Sequence, residues 1–148
     1  MISIQHDDFD VGTEYNKLVV DDAAAGAVVT FVGRVRDVNL DHDVLGLHLE
    51  HYPGMTEKSL QDIAEQAKAR WSILRWRIIH RIGDLRLGDN IVFVGVSSMH
   101  REDAFNAAEF LMDYLKTRAP FWKKELTADG NVWLDSQAKD QQAAKRWD

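Results

Sequence analysis

Two runs of mostly apolar, often β-branched residues constrain the fold of this chain more than any other feature. AVVTFVGRVR spans residues 27–36 and IVFVGVSS spans residues 91–98, and both carry apolar side chains at successive positions. Strands of this kind are covered on both faces, so the sequence predicts two interior strands of one sheet. Gly33 predicts a close backbone approach or a β-bulge, and Arg34 and Arg36 fall on the same side of their strand.

Shorter patterns predict the remaining strands. Residues 2–5 and 44–51 alternate apolar with polar side chains, and residues 75–82 place Trp, Ile and His on one face and Arg on the other. Asp129-Gly130 lies between strand-like residues and predicts a two-residue hairpin. Residues 83–90 are interpreted as a connection.

Helices are predicted between these strands. Asp7 or Asp8 is a candidate N-cap for a first helix, and a second follows Pro53-Gly54. The resulting order, β-α-β-β-α-β-β-α-β-β, is typical of the α+β class. The length of 148 residues fits a single domain over residues 1–148. We expect a mobile loop at 37–43 and a C-terminal segment, 136–148, that is at most helical and is ordered only by contact.

A third helix precedes the most basic part of the chain. Its apolar stripe recurs at three- and four-residue steps, at Ala104, Ala108, Leu111, Met112 and Leu115. Because Pro120 disfavours helical geometry at the residue before it, the helix is predicted to end at 117–118. Lys116 then lies at the helix end and Lys123 beyond it, so the two lysines meet only if the chain turns back.

Residues 114–124 contain Lys116, Arg118, Lys123 and Lys124 and no acidic residue. Crowded cations lower one another's pKa, and a lysine with a lowered pKa is a usable base or nucleophile near neutral pH. An anion site is therefore one interpretation. Ordinary solvated surface lysines are the other, and the spacing alone does not decide between them.

Histidines offer one further anion site and no metal site. His100-Arg101 follows Ser97-Ser98 at a strand-to-helix junction, where free backbone N–H groups suit a phosphate. The histidines at 48, 51 and 80 lie on or beside strands and are interpreted as half-buried structural residues. Since the sequence has no zinc motif, acidic metal loop or phosphate-binding loop, we assign no metal and expect no resident cofactor.

Composition excludes several classes of function. The absence of cysteine excludes disulfides and any thiolate or persulfide chemistry on this chain, so sulfur must arrive from elsewhere. A net charge of −6 argues against nucleic-acid binding. With no apolar run long enough to span a bilayer and no secretory segment, we expect no membrane association and a cytoplasmic location.

Five stretches of the sequence together resemble the large, catalytic subunit of molybdopterin synthase. They are TFVGRVRDVN, LEHYPGMTEK, IHRIGDL, GDNIVFVGVSSMHREDAF and MDYLKTRAPFWKKE. They occur in the right order, and the resemblance runs from about residue 9 to the closing QQAAKRW. It implies an α/β-hammerhead fold with an additional small antiparallel β-subdomain.

The resemblance also implies an activity and partners. The family forms a homodimer within a heterotetramer, and each large subunit binds a small ubiquitin-like sulfur-carrier subunit. The carrier's C-terminal Gly-Gly thiocarboxylate delivers sulfur to cyclic pyranopterin monophosphate, and two deliveries give the dithiolene of molybdopterin. Such a sulfurtransferase would explain a local cationic site on an acidic chain without cysteine.

Matching positions carry the family's functional residues to this sequence. Lys116 and Lys123 are the implied catalytic residues. The implied substrate-binding residues are Arg36, His100, Arg101, Phe31, Met112 and Arg118. Two alternatives stay open: a non-catalytic module that grips an acidic C-terminal peptide, and an enzyme on another phosphorylated metabolite that needs no protein partner.

Overall fold

The computed structural model describes residues 1–39, 42–134 and 137–148, and it contains mixed helices and strands. The strands are β1 Ile2–Gln5, β2 Ala27–Arg34, β3 Val38–Asn39, β4 His42–Asp43, β5 Gly46–His51, β6 Arg75–Arg81, β7 Gly83–Arg86, β8 Asn90–Ser98, β9 Phe121–Thr127 and β10 Gly130–Leu134. The helices are α1 Val11–Val19, α2 Met55–Arg70, α3 Arg101–Arg118 and α4 Ala138–Lys145. The predicted α+β class is confirmed.

The first sheet has the strand order β1-β6-β8-β2 and is covered on both faces. Leu18 of α1 packs on one face, against Ile79 and Phe93. Helices α2 and α3 pack on the other face and form the main core. Only the β1–β6 pair is parallel.

One of the two predicted interior strands lies at an edge. The prediction is confirmed for β8, which pairs with β6 and β2, and is wrong for β2, which ends the sheet. Both faces of β2 are nonetheless packed, because Val28 and Val32 join the α1 cluster and Val29 joins the α3 cluster. An apolar pattern on both faces therefore indicated covered faces and not a central position.

The second sheet has the order β10-β9-β5-β7, and all of its pairs are antiparallel. Its inner face buries Leu47, Leu49 and Leu85 against Val35. The residues interpreted as a connection between 83 and 90 contain β7, whose sequence GDLR has a single large apolar side chain and so shows no alternating apolar pattern. The predicted hairpin forms, but its two loop residues are Ala128 and Asp129, one position earlier than predicted, because Gly130, at φ 125°, already pairs with Thr127.

The structure also corrects some helix and loop predictions. Asp10, not Asp7 or Asp8, caps α1, and its carboxylate accepts a hydrogen bond from the Thr13 N–H at 2.8 Å. The predicted mobile loop at 37–43 contains the paired strands β3 and β4. Its residues 40 and 41, and residues 135 and 136 near the C-terminus, lie outside the described residues.

The C-terminal helix α4 packs on α3. Trp147 contacts the rings of Trp71 and Phe110, and its Nε1–H donates to Asp113 Oδ2 at 2.7 Å. Arg146 pairs with the same carboxylate. The contact expected to order this segment is thus made within the chain. No helix in the described ranges is both long enough and apolar enough to cross a membrane.

Candidate active site

The end of α3 and the start of β9 bring Lys116 and Lys123 to one cavity between the two sheets. Helix α3 stops at Arg118, as predicted, and Ala119 is extended before Pro120. Thr56 fixes this turn, because its hydroxyl donates to the Pro120 carbonyl oxygen at 3.0 Å. The chain thereby turns back, and both lysines line a cavity of about 220 Å³.

Two arginines reach the same cavity from β2. The strand carries a register irregularity between Gly33 and Arg34, as the sequence allowed. A Cβ on Gly33 would lie 2.8 Å from Val92 Cγ1, so the residue also permits a close approach. Beyond it, Arg34 and Arg36 line the cavity, and Arg34 Nη2 donates to the Gly88 carbonyl oxygen at 3.0 Å.

Lys123 carries an amine with a lowered pKa. Its pKa is lowered from 10.5 to about 8, chiefly by burial and secondly by the nearby charge of Lys116, while Asp140 opposes the shift. The strand places Lys124 on the opposite face, where its ammonium lies 5.1 Å from the centroid of the Trp133 ring. A lysine with a pKa near 8 exists partly as the free amine at neutral pH and can act as a base.

The predicted apolar residues line the cavity as well. Phe31 of β2 is exposed, and Met112 lies one helical turn before Lys116 on α3. Leu115 and Phe121 contribute further apolar surface. The cavity therefore combines a cationic group of side chains with an apolar wall.

Sequence reasoning did not assign five polar residues of this cavity to the site, namely Arg34, His80, Glu125, Gln137 and Asp140. Glu125 follows Lys123 by two residues in β9, so strand parity could have placed it here. His80 lies on the apolar face of its strand, and a polar residue in that pattern was the available signal. Asp140 carried no signal, because α4 had no predicted position.

The remaining predicted residues lie away from the cavity of their own chain. His100 and Arg101 are exposed at the start of α3, 16 and 15 residues before Lys116, which corresponds to roughly 22–24 Å along the helix. Arg118 Nη2 pairs with Asp148 at 3.3 Å, and its guanidinium lies 3.8 Å from the centroid of the Tyr114 ring. Their predicted roles in substrate binding stay predictions.

The arrangement suits an anionic ligand that undergoes proton transfer. Four cationic side chains can hold negative charge, and one of them is a candidate base. Among the residues that the structure describes, no group of three or more His, Asp or Glu side chains could hold a metal ion. The chemistry that these residues offer is therefore acid–base and electrostatic.

Comparison with known proteins gives concordant matches. The family model described as MoaE protein matches residues 4–118. The molybdopterin synthase catalytic subunit of Vibrio cholerae serotype O1 is 62% identical over 147 residues, which cover 99% of this chain and 97% of that protein. The one from Escherichia coli K12 is 58% identical over 139 residues, 94% and 92% of the two chains. A solved structure, the molybdopterin biosynthesis MoaE protein from Burkholderia ambifaria, superposes with a TM-score of 0.85 at 49% identity, covering 99% of this chain and 97% of that one.

Proposed function

The chain belongs to the MoaE protein family, and we propose that it is the catalytic subunit of a molybdopterin synthase. It transfers sulfur from the C-terminal thiocarboxylate of a small carrier subunit to cyclic pyranopterin monophosphate. Two transfers give the dithiolene of molybdopterin. The observation that carries this proposal is the meeting of Lys116 and the low-pKa Lys123 in one open cavity.

The cavity suits a sulfur donor that is brought by another protein. The chain has no cysteine, so it cannot carry the sulfur itself. An extended C-terminus that ends in a thiocarboxylate is thin and anionic, and Lys116, Lys123 and Arg36 line the same cavity. Charge complementarity therefore favours entry of such a tail.

The cavity residues take distinct roles in each transfer. At the sulfur-accepting carbon of the pterin substrate a carbon–sulfur bond replaces a carbon–oxygen bond, and the displaced oxygen leaves in protonated form. The acyl carbon–sulfur bond of the carrier breaks by hydrolysis, so water supplies the oxygen of the carboxylate that is left. Lys123 acts as the base and acid of this step. Lys116 binds and polarises the thiocarboxylate. Arg36 holds the substrate phosphate, and Phe31 and Met112 supply the apolar wall of the substrate site.

A second copy of the chain is part of this proposal. His100 and Arg101 are separated from Lys116 by roughly 22–24 Å along α3, so they reach a cavity only in another chain. In a homodimer each chain would supply these two residues to its partner's cavity. With one carrier subunit per chain, the assembly is a heterotetramer.

Mixed dimers test this sharing of residues. His100→Ala and Lys123→Ala homodimers should each be nearly inactive. Exchange of chains between them should restore activity, because one cavity of the mixed dimer then has both His100 and Lys123. Activity that stays at the level of the parents after confirmed exchange would show that each cavity uses its own His100.

Reconstitution tests the function itself. Purified protein is mixed with cyclic pyranopterin monophosphate and a thiocarboxylated carrier, and the dithiolene product is detected as its fluorescent oxidation derivative. Product should form only with the thiocarboxylate and not with the carboxylate form of the carrier. Carrier binding without any product would leave a non-catalytic binding module, and product without carrier would indicate an enzyme that works alone.

We further propose that residues 1–148 form a single domain and that the protein works in the cytoplasm. Residues of both sheets and of α3 line one cavity, which supports one folding unit. A single calorimetric transition whose calorimetric and van't Hoff enthalpies agree would support the domain proposal. Fractionation of cells that express the protein tests its location.

A further inference from the structure

His80 occupies a position in the cavity that the proposed mechanism does not use. It lies near the end of β6, on the same face as Ile78, and is only 2% exposed. Its ring stacks on that of Phe121, with a centroid distance of 3.8 Å and an interplanar angle of 16°. Phe121 precedes Lys123 by two residues on the same face of β9, so His80 sits beside the candidate base.

One hydrogen bond fixes the tautomer of this ring. His80 Nδ1 lies 2.8 Å from the carbonyl oxygen of Arg81, and a carbonyl oxygen only accepts hydrogen bonds. Nδ1 therefore carries the proton. In the neutral ring Nε2 has a lone pair and acts as an acceptor.

The surroundings keep the ring neutral. The pKa of His80 is lowered to about 3, chiefly by burial and also by Lys123, His51 and Lys116, while the hydrogen bond to the Arg81 carbonyl partly opposes the shift. These groups face His80 from β9, β5 and α3. At physiological pH the ring consequently neither gains a proton nor acts as an efficient base.

Nε2 is the polar atom that His80 can offer to a ligand. It makes no hydrogen bond to any described residue, whereas Nδ1 is already bonded. Arg36, Lys116 and Lys123 supply hydrogen-bond donors to the cavity, and Glu125 and Asp140 supply acceptors that carry charge. A neutral acceptor beside these cations can bind a neutral N–H or O–H group without adding negative charge.

We propose that His80 is a specificity-determining residue whose Nε2 accepts a hydrogen bond from a ring N–H of the pterin substrate. This inference rests on the proposed function, because it takes the heterocycle from that reaction. The carrier tail is anionic and offers its terminal group to the lysines, so His80 contributes to binding of the pterin and not of the tail. It changes the KM for the pterin and leaves carrier affinity unchanged.

Nitrogen NMR of the full-length protein, labelled with ring-¹⁵N histidine, tests the inference directly. Addition of cyclic pyranopterin monophosphate should move the His80 Nε2 resonance, with Nδ1 remaining protonated. Inorganic phosphate alone should leave the chemical shift of the His80 Nε2 resonance unchanged. An Nε2 resonance that does not move at saturating pterin, or that moves only when Lys123 deprotonates, overturns the inference.

Two substitutions give a matched kinetic test. His80→Phe keeps the stacking on Phe121 but removes the acceptor, and it should raise the KM for the pterin by up to about tenfold. His80→Gln places an amide oxygen near the position of Nε2 and should restore most of the loss. Equal KM values for the wild type and His80→Phe, or equal loss of carrier affinity, would count against the inference.

The outcomes separate this inference from the proposed function. Dithiolene formation by the wild type with an unmoved Nε2 resonance would remove the role of His80 alone. No dithiolene together with an unmoved resonance would remove both. Dithiolene together with a moved resonance and a KM effect confined to the pterin supports both.

Discussion

Cations are held in opposite ways in two regions of this molecule. In the cavity, Lys123 lies beside Lys116, and burial together with that neighbouring charge brings its pKa down to about 8. On the outer side of α3, Arg146 Nη2 lies 2.6 Å from Glu109 and 2.8 Å from Asp113, and these carboxylates raise its pKa. The cavity therefore places like charges close together in a partly buried site, whereas the outer side of α3 pairs opposite charges near solvent.

This difference separates reactivity from attachment. A buried amine near another cation is destabilised as an ion, and that destabilisation makes it a usable base. An exposed arginine between two carboxylates gains a modest, salt-sensitive attraction that helps to hold α4 on α3. Substitutions in the cavity should therefore change the rate of turnover, whereas substitutions on the outer surface should only slightly change the free energy of unfolding.

The largest effect is expected from Lys123→Ala. Loss of a positioned acid–base group typically lowers the rate 10²–10⁴-fold, or roughly 3–5 kcal/mol of barrier. Lys124→Ala is the matched control, because the adjacent lysine faces away from the cavity. Its turnover should stay within about twofold of the wild type in the reconstituted assay. Comparable turnover in the two variants would remove Lys123 from the mechanism.

Lys123→Met should make the folded protein more stable while it abolishes turnover. The folded pKa of about 8 lies below the unfolded value of 10.5, so the unfolded chain binds more protons between these pH values. The free energy of unfolding should therefore rise as the pH increases from about 8 to 10.5. Below about pH 8 the folded protein bears the full destabilisation caused by the buried ammonium ion. Removing the charge should add about 1–2 kcal/mol to the free energy of unfolding at pH 7.

Urea denaturation of Lys123→Met and Lys124→Met at pH 7 measures this difference. The second variant removes a charge from the solvent-facing side of the same strand, and it should change stability by less than about 0.5 kcal/mol. If Lys123→Met is less stable than the wild type, the cavity does not destabilise the ammonium ion. The comparison between the two regions would then lose its physical basis.

The pH dependence of turnover tests the coupling between the two lysines. If Lys123 is the base, the rate should rise with pH through about 8, where its amine loses the proton. Lys116→Met removes the neighbouring positive charge and should move this rise in rate to higher pH. The shift should be less than about one pH unit, because burial is the larger cause. If the residual activity of Lys116→Met rises at the same pH as the wild-type activity, Lys116 does not influence the pKa of the base.

The sequence predicted the parts of the cavity that lie on regular elements. Helical periodicity and Pro120 placed Lys116 at a helix end. His100 shows where this reasoning stopped, because a residue matched to the site lies far from it within one chain. Asp140 could not be predicted, since its position depends on how α4 docks through Trp147, a tertiary contact without a local pattern.

Arg146→Ala should have the smallest effect of these substitutions. Asp113 would still accept the Trp147 Nε1–H at 2.7 Å, and Trp147 would keep its ring contacts with Trp71 and Phe110. Arg146 and Glu109 are solvent-exposed and Asp113 is partly buried, so loss of the two ion pairs should cost about 0.5–1 kcal/mol of unfolding free energy, and less at high salt. Turnover should be unchanged under conditions where the variant is folded.

Because Asp140 of the same helix lines the cavity, a fall in turnover without a loss of stability would mean that α4 transmits changes at the outer surface to the lysines. The two regions would then work as one unit, and the distinction between reactivity and attachment would fail.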